Sequence, residues 1–250
     1  MQTVARHPPI LISECFGATI QGEGTLIGLP TVFVRTGGCD YRCQMCDTLY
    51  AVLPEHRQEW RAMTTEQVYT EIQRLSDHVP LLVTFSGGNP AMQPLGSLIE
   101  RGRADGYTFA LETQGSIAQP WFAQLHVLTL SPKPPGMGNP VPTNWERFDR
   151  CIADARGGAE GEGPSICLKI VIFDEADYAY AHDVAAHYPD IPIFLQAGNH
   201  TPPHRAPEAD MAGILHRLEW LIQRVVQDRW YTVRVLPQLH VLLWGNTRGV

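Results

Sequence analysis

The sequence has no apolar run near the roughly 18 residues that a bilayer-crossing helix needs. Its longest candidates, such as 81–85, are strand-sized, so no transmembrane span is expected. An excess of positive charge is also missing: 19 Lys and Arg stand against 26 Asp and Glu, a net charge of -7. Such a chain lacks the cations that release counterions from a phosphate backbone, which argues against nucleic acid as its main partner. Cysteine is scarce, at six in 250 residues, too few for a disulfide scaffold. Near the start, Arg6 and His7 run into Pro8 and Pro9, and Ile10-Leu11-Ile12 is too short for the apolar core of a signal peptide. A cytoplasmic location is expected. No internal repeat is present, and 44% apolar with 18% charged residues is an ordinary globular balance, which excludes a disordered or collagen-like chain.

What is present is an alternation of short apolar runs with longer helical patterns. Candidate strands lie at 31–35, 81–86, 108–113, 127–131, 166–173 and 192–196, with a last one at 232–236. Helices are expected at 65–76, opened by the capping-type sequence Thr64-Thr65-Glu66-Gln67, and at 144–155 and 175–188. A long helix at 211–227 carries Ile214, Leu215, Leu218, Leu221, Ile222 and Val225 at three- and four-residue spacing. Strand-helix alternation implies an α/β fold around a parallel sheet, and near-continuous apolar runs such as 166–173 suit strands buried on both faces. About six parallel strands fit a partial or irregular (β/α) barrel better than eight full units, because the loops at 132–143 and 156–164 take up length. Neither loop reads as a linker, so one domain over 1–250 is expected.

Three of the six cysteines, Cys39, Cys43 and Cys46, form a C-x3-C-x2-C cluster directly after the first parallel strand. In α/β barrels the C-terminal end of a strand is the active-site face. A closed zinc site needs four N or S ligands, and no fourth Cys or His stands at short spacing. Three thiolates can instead hold three irons of a cubane cluster and leave the fourth iron open. The other cysteines, Cys15, Cys151 and Cys167, sit in apolar or helical contexts and read as small buried hydrophobes.

This motif resembles that of radical S-adenosylmethionine (SAM) enzymes. With Ser13-Glu14-Cys15-Phe16-Gly17-Ala18-Thr19-Ile20-Gln21-Gly22-Glu23-Gly24 before it and Cys46-Asp47-Thr48 closing it, the pattern is similar to the 7-carboxy-7-deazaguanine synthase family. Ser86-Gly87-Gly88-Asn89-Pro90, Leu111-Glu112-Thr113-Gln114-Gly115, Ser131-Pro132-Lys133 and the stretch 234–240 extend the resemblance over about 13–250. It implies a radical SAM fold with an N-terminal substrate-binding segment and a C-terminal helix-strand extension. It also implies conversion of 6-carboxy-5,6,7,8-tetrahydropterin to 7-carboxy-7-deazaguanine with release of ammonia, a step in queuosine and 7-deazapurine biosynthesis. The implied cofactors are a 4Fe-4S cluster on Cys39, Cys43 and Cys46, SAM, and Mg2+ on Thr48. A homodimer and a low-potential donor such as flavodoxin are the implied partners.

Residue by residue, the resemblance places SAM along Met45, Cys46 and Asp47, against Gly88, Glu112, Ser131, Pro132, Lys133 and Gln196, with the substrate at Ile20, Gln21, Gly22, Arg35 and Ser86. The residues themselves leave alternatives open. Arg35, ending an apolar strand, either snorkels outward or offers its fork to a carboxylate. Thr48 either binds a metal or caps the next turn, and Glu112 at the end of its strand either binds ribose hydroxyls or belongs to a structural hydrogen-bond network. Asn89 stands where many radical SAM proteins have Glu, which would put an amide oxygen against the SAM amino group. Lys169 interrupts an apolar run, so it needs a carboxylate or carbonyls, whether in a structural pair or toward SAM. Gln238 and His240 either close the substrate pocket or, for His240, fill the core. Two other readings compete: an activase that generates a glycyl radical on a partner protein, and a non-catalytic zinc-binding interaction module.

Overall fold

The first strand of the chain, β1 (Ile10–Ile20), is one that periodicity does not reveal. Its pairing with β2 (Pro30–Thr36) slips between Ile12 and Glu14 and again between Phe16 and Thr19. Each bulge resets the in-out alternation, so no period of two survives in the sequence. These strands come from a computed structural model that describes residues 8–157 and 163–250. The N-terminal stretch 1–7, with Arg6 and His7, and the middle of the 156–164 loop lie outside the described residues.

Among the described residues nine strands form one sheet in the order β3-β1-β2-β4-β5-β6-β7-β8-β9. Here β3 is Arg61–Met63, β4 Leu82–Gly87, β5 Thr108–Thr113, β6 Val127–Leu130, β7 Ser165–Ile172, β8 Ile193–Ala197 and β9 Arg234–Leu236. From β2 through β9 every pairing in that order is parallel, giving seven parallel strands, one for each of the seven runs named in the sequence. Both β1 pairings are antiparallel and form the added edge. The sheet ends at β3 and β9 without closing, as a partial barrel should.

Helices make most of the crossovers: α2 (Thr65–Leu75), α3 (Gly96–Ala104), α4 (Trp145–Arg156), α5 (Glu175–His187) and α6 (Met211–Gln227). Two short helices, α1 (Leu49–Val52) and α7 (Leu239–Trp244), follow the cysteine loop and the last strand. The Thr64 capping box forms in full, with Thr64 Oγ1 accepting from Gln67 N at 3.3 Å and Gln67 Oε1 accepting from Thr64 N at 2.8 Å. Asn144 and Asp210 cap α4 and α6 through their side chains in the same way. No helix among the described residues is long and apolar enough to cross a membrane.

Alternation along the strands separates two faces of the sheet. Val32, Val34, Val83, Phe85, Phe109, Leu111, Leu168, Ile170 and Ile172 are buried in the core with Val68 and Ile72 of α2 and Leu98 and Ile99 of α3. Phe85 and Phe109 stack there with centroids 5.5 Å apart. The intervening residues Phe33, Arg35, Thr84, Ser86, Glu112, Lys169 and Val171 turn to the opposite face and line a cavity. The strands are therefore not apolar on both faces, as a run like 166–173 suggested: the inner face is polar toward the strands' C-terminal ends.

If this packing rather than local propensity carries the fold, Phe109→Ala should cost about 3–5 kcal/mol. Removing the helix cap by Thr64→Ala should cost about 1 kcal/mol. Denaturant unfolding of the two variants checks the order.

Candidate active site

The cysteine loop leaves the end of β2 and is pinned from several sides. Gly37 N donates to Leu11 O at 2.9 Å, Gly38 N to Ala51 O at 2.7 Å, and Asn89 N to Gly38 O at 2.8 Å. Gly88 packs so tightly beneath that a Cβ there would collide with Gly38 O. From the far side Met45 N donates to Met137 O at 3.2 Å. Cys39, Cys43 and Cys46 all line the cavity, together with Met45, Asp47 and Thr48.

Burial pushes each of these three thiols up to about 11. Neighbouring acids add to the shift, at Asp40 for Cys39 and at Asp47 for Cys46. Three such thiols would stay protonated at neutral pH unless a cationic centre took them up as thiolates. Among the described residues no set of three or more His, Cys, Asp or Glu side chains is arranged to hold a single metal ion. Three soft sulfur donors around a cavity suit a larger group with several metal atoms, such as a 4Fe-4S cluster.

Arg35 does not snorkel. Its guanidinium is half-buried, lines the cavity and donates from Nε to Glu14 Oε1 at 2.7 Å, its register neighbour on β1. Glu14 also accepts from Tyr50 Oη at 2.8 Å and from Arg248 Nε at 2.8 Å. Burial pushes the Glu14 carboxyl up, but Arg35, Arg248 and Tyr50 outweigh it and hold it below the ordinary carboxylate range. With Nε fixed on Glu14, the terminal nitrogens of Arg35 are the part of the fork left for a carboxylate. Phe16 and Phe33 stack beside it at 4.9 Å and give the cavity an aromatic wall.

The chain contains two lysines, Lys133 and Lys169, and both line this cavity. Lys169 on β7 is buried between two carboxylates, Glu112 of β5 and Glu23 of the turn after β1. Glu112 and Lys169 share the inner face with Thr129 of β6 between them, so the ammonium bridges across one strand. Gln238 donates to the other oxygen of Glu23 at 2.7 Å. Burial alone would raise Glu23 and lower Lys169; their attraction reverses both shifts, so both stay charged. His240 comes close against Gly22, where a Cβ would lie 2.8 Å from its Nδ1, and lines the cavity rather than the core.

Most residues singled out in the sequence meet here: Ile20, Gln21, Gly22, Arg35, Met45, Asp47, Thr48, Ser86, Gly88, Glu112, Lys133 and Lys169, with the three cysteines. Ser131, Pro132 and Gln196 are not on the cavity wall. Ser131 Oγ accepts from Lys133 Nζ at 3.0 Å, and Gln196 Nε2 donates to Pro237 O at 3.2 Å, so both act behind it. Asn89 is fully buried, and its oxygen already accepts from Thr113 Oγ1 at 2.8 Å and Ala91 N at 3.1 Å. An amide oxygen offered to an amino group is therefore not what this residue supplies. Thr48 occupies the N-cap of α1 without a capping hydrogen bond, and its hydroxyl lies 3.6 Å from Cys46 Sγ. Glu14 and Glu23 were missed as site residues. The signal was indirect: a half-buried Arg35 and a buried Lys169 each demand a nearby carboxylate.

Lys169→Met should cost roughly 3 kcal/mol by leaving two half-buried carboxylates without their cation. Adding Glu23→Gln and Glu112→Gln should recover part of that loss in denaturant unfolding. Glu14 and Glu23 are held below their ordinary value of 4.5, so their contribution is fully present above it and lost as pH falls below it. The unfolding midpoint should therefore hold from neutrality down to about pH 5 and drop beneath that.

No family model matches the sequence. The 7-carboxy-7-deazaguanine synthase of Bacillus subtilis is 40% identical over 249 residues, covering 99% of this chain and 100% of that protein. The Bacillus cereus enzyme of the same name is 38% identical, over 96% of this chain and 99% of its own. Among solved structures, QueE from Escherichia coli superimposes with a TM-score of 0.64 at 22% identity, over 92% of this chain and 94% of that one, a likeness of fold. Full-length identity of that order to two synthases, over a cavity lined by three cysteines, settles membership: the chain belongs to the 7-carboxy-7-deazaguanine synthase family.

Proposed function

We propose that the inner cavity converts 6-carboxy-5,6,7,8-tetrahydropterin to 7-carboxy-7-deazaguanine and ammonia, with the roles of its residues as follows. The observation that carries the reading is the meeting, in one cavity, of three partly buried cysteines with a guanidinium braced to receive a carboxylate. Substrate on one side and product with ammonia on the other contain the same atoms, so the reaction needs no net oxidant.

Cys39, Cys43 and Cys46 would hold the 4Fe-4S cluster, and Met45, Cys46, Asp47, Gly88, Glu112 and Lys133 would lie along SAM. When bound, the cluster and SAM would supply one-electron, hydrogen-atom-abstracting radical chemistry, and these residues would orient SAM for it. Arg35 fixes the substrate carboxylate, and its bond to Glu14 prevents rotation of the fork. Backbone and amide groups of Ile20, Gln21 and Gly22 read the donor-acceptor edge of the pterin, and Ser86 bounds it from β4. Lys169 holds Glu23 and Glu112 in place as hydrogen-bond acceptors on two sides of the cavity. Phe16, Phe33, Val171 and Phe173 exclude water from the reacting atoms. Ser131, Pro132 and Gln196 support this wall from behind.

Thr48 supplies a hydroxyl oxygen to Mg2+, a hard cation that takes oxygen ligands and waters. The whole chain works as one radical SAM domain, as a homodimer, with a low-potential protein such as flavodoxin as its electron source.

The test is anaerobic mass spectrometry after giving the iron-sulfide-reconstituted, reduced chain SAM, Mg2+ and 6-carboxytetrahydropterin. The expected result is 7-carboxy-7-deazaguanine with SAM undiminished. SAM cleaved to 5′-deoxyadenosine with the pterin intact would overturn the substrate assignment and favour an activase of glycyl-radical type. Thr48→Ala should lower turnover at limiting Mg2+ by about tenfold or more while SAM binding is kept. Comparing Mg2+ titrations of activity with equilibrium SAM binding checks both halves of that expectation.

A further inference from the structure

Cys39 differs from the other two cluster cysteines in what surrounds its sulfur. It faces the backbone N–H of Tyr41 at 3.4 Å and the side-chain Nε2 of Gln114 at 3.8 Å. Cys46 Sγ instead meets the Thr48 hydroxyl at 3.6 Å. Gln114 follows β5, on a different part of the chain from the cysteine loop. It reaches Cys39 over the buried floor of the site and is itself buried.

The direction of its amide is fixed by chemistry. Asp40 Oδ1 accepts from Gln114 Nε2 at 2.7 Å and from Asn89 Nδ2 at 2.9 Å. A carboxylate can only accept, so the nitrogen end of each amide must face it, and in Gln114 that same end meets Cys39. Asn89 is locked in turn, because Thr113 Oγ1 and Ala91 N donate to its oxygen. Ser116 Oγ lies 3.1 Å from both amide nitrogens. Asn89 therefore anchors Asp40, Asp40 takes one hydrogen of Gln114 Nε2, and the second is shared between Ser116 Oγ at 3.1 Å and Cys39 Sγ at 3.8 Å.

We infer that Gln114 is a positioning residue that raises the reduction potential of the cluster held by Cys39, Cys43 and Cys46, by donating an N–H to the Cys39 sulfur. This rests on the cluster reading of the three cysteines. The electron that enters a cluster spreads negative charge onto its thiolate sulfurs. A donor at one sulfur stabilises the reduced form more than the oxidised form, and the gain grows in a buried, low-dielectric site. Asp40 beside Cys39 acts in the opposite sense, and Gln114 takes up part of its charge. An amide one residue past the strand that carries Glu112 thus couples the far wall of the cavity to the ease of cluster reduction.

The test is an EPR-monitored redox titration of the reconstituted full chain, without SAM or pterin. Gln114→Met, similar in length but without a donor, should retain iron and sulfide and shift the midpoint to more negative potential. At the wild-type midpoint its reduced fraction should correspond to an equilibrium roughly two- to tenfold less favourable. Gln114→Glu, which keeps the shape but cannot donate when ionised, should shift in the same direction. An unchanged midpoint in either variant with full iron and sulfide content overturns the inference. Loss of the cluster in both variants also overturns it, by assigning Gln114 to assembly instead of potential. Failure of the wild-type chain to take up sulfide would instead refute the cluster reading itself.

Discussion

A buried ammonium between two half-buried carboxylates organises the centre of this molecule. Lys169 cannot leave water for the inside of a half-open barrel unless its charge is matched, and it is matched twice, by Glu23 and Glu112. The three groups come from the turn after β1, from β5 and from β7, and Gln238 adds the segment after β9. One charge balance thereby joins the start, the middle and the end of the sheet across its concave face. Breaking it would leave the antiparallel edge free to move relative to the parallel strands, and the cavity between them would lose its shape.

Around that centre the sheet uses its two faces for different purposes. Side chains on one face pack with α2, α3 and the rest of the apolar core, while those on the other supply Arg35, Ser86, Glu112 and Lys169. Such polar residues would be costly in a fully buried sheet, but here each has a partner or faces the cavity. The cysteine loop is fastened to the rim by backbone hydrogen bonds and by side-chain contacts with Asn89 and Gln114. Arg35 and Lys169 are both held by carboxylates that keep them charged, so the cavity presents fixed charges to a ligand at little reorganisation cost.

Much of this was legible in the residues. The 3.6-residue pattern placed α6 at its observed bounds, and Thr64 with Gln67 announced the cap of α2. The cysteine spacing after β2 marked the rim of the site. What escaped has physical causes. Bulges erased the alternation of β1, and β3, with three largely exposed residues, has too little apolar pattern to be seen. The α3 helix, nine residues with glycine at Gly96 and Gly102, has a weak periodic signal. Pairings across long sequence separations, such as Glu23 with Lys169 and Glu14 with Arg248, leave no local trace. Asn89 shows the limit of reasoning by position: its place in the motif suggested a cofactor contact, whereas its hydrogen bonds commit it to Asp40, Ser116 and Thr113.

The central claim is that this cavity, once it holds the cluster and SAM, is a receptor for the carboxylated pterin and needs no second protein to complete it. Isothermal titration calorimetry of 6-carboxytetrahydropterin into the reconstituted chain tests it directly. Saturable binding in the presence of SAM, weakened by at least about tenfold in Arg35→Gln, is the predicted result. An absence of binding by the intact, cluster-loaded chain would contradict the account.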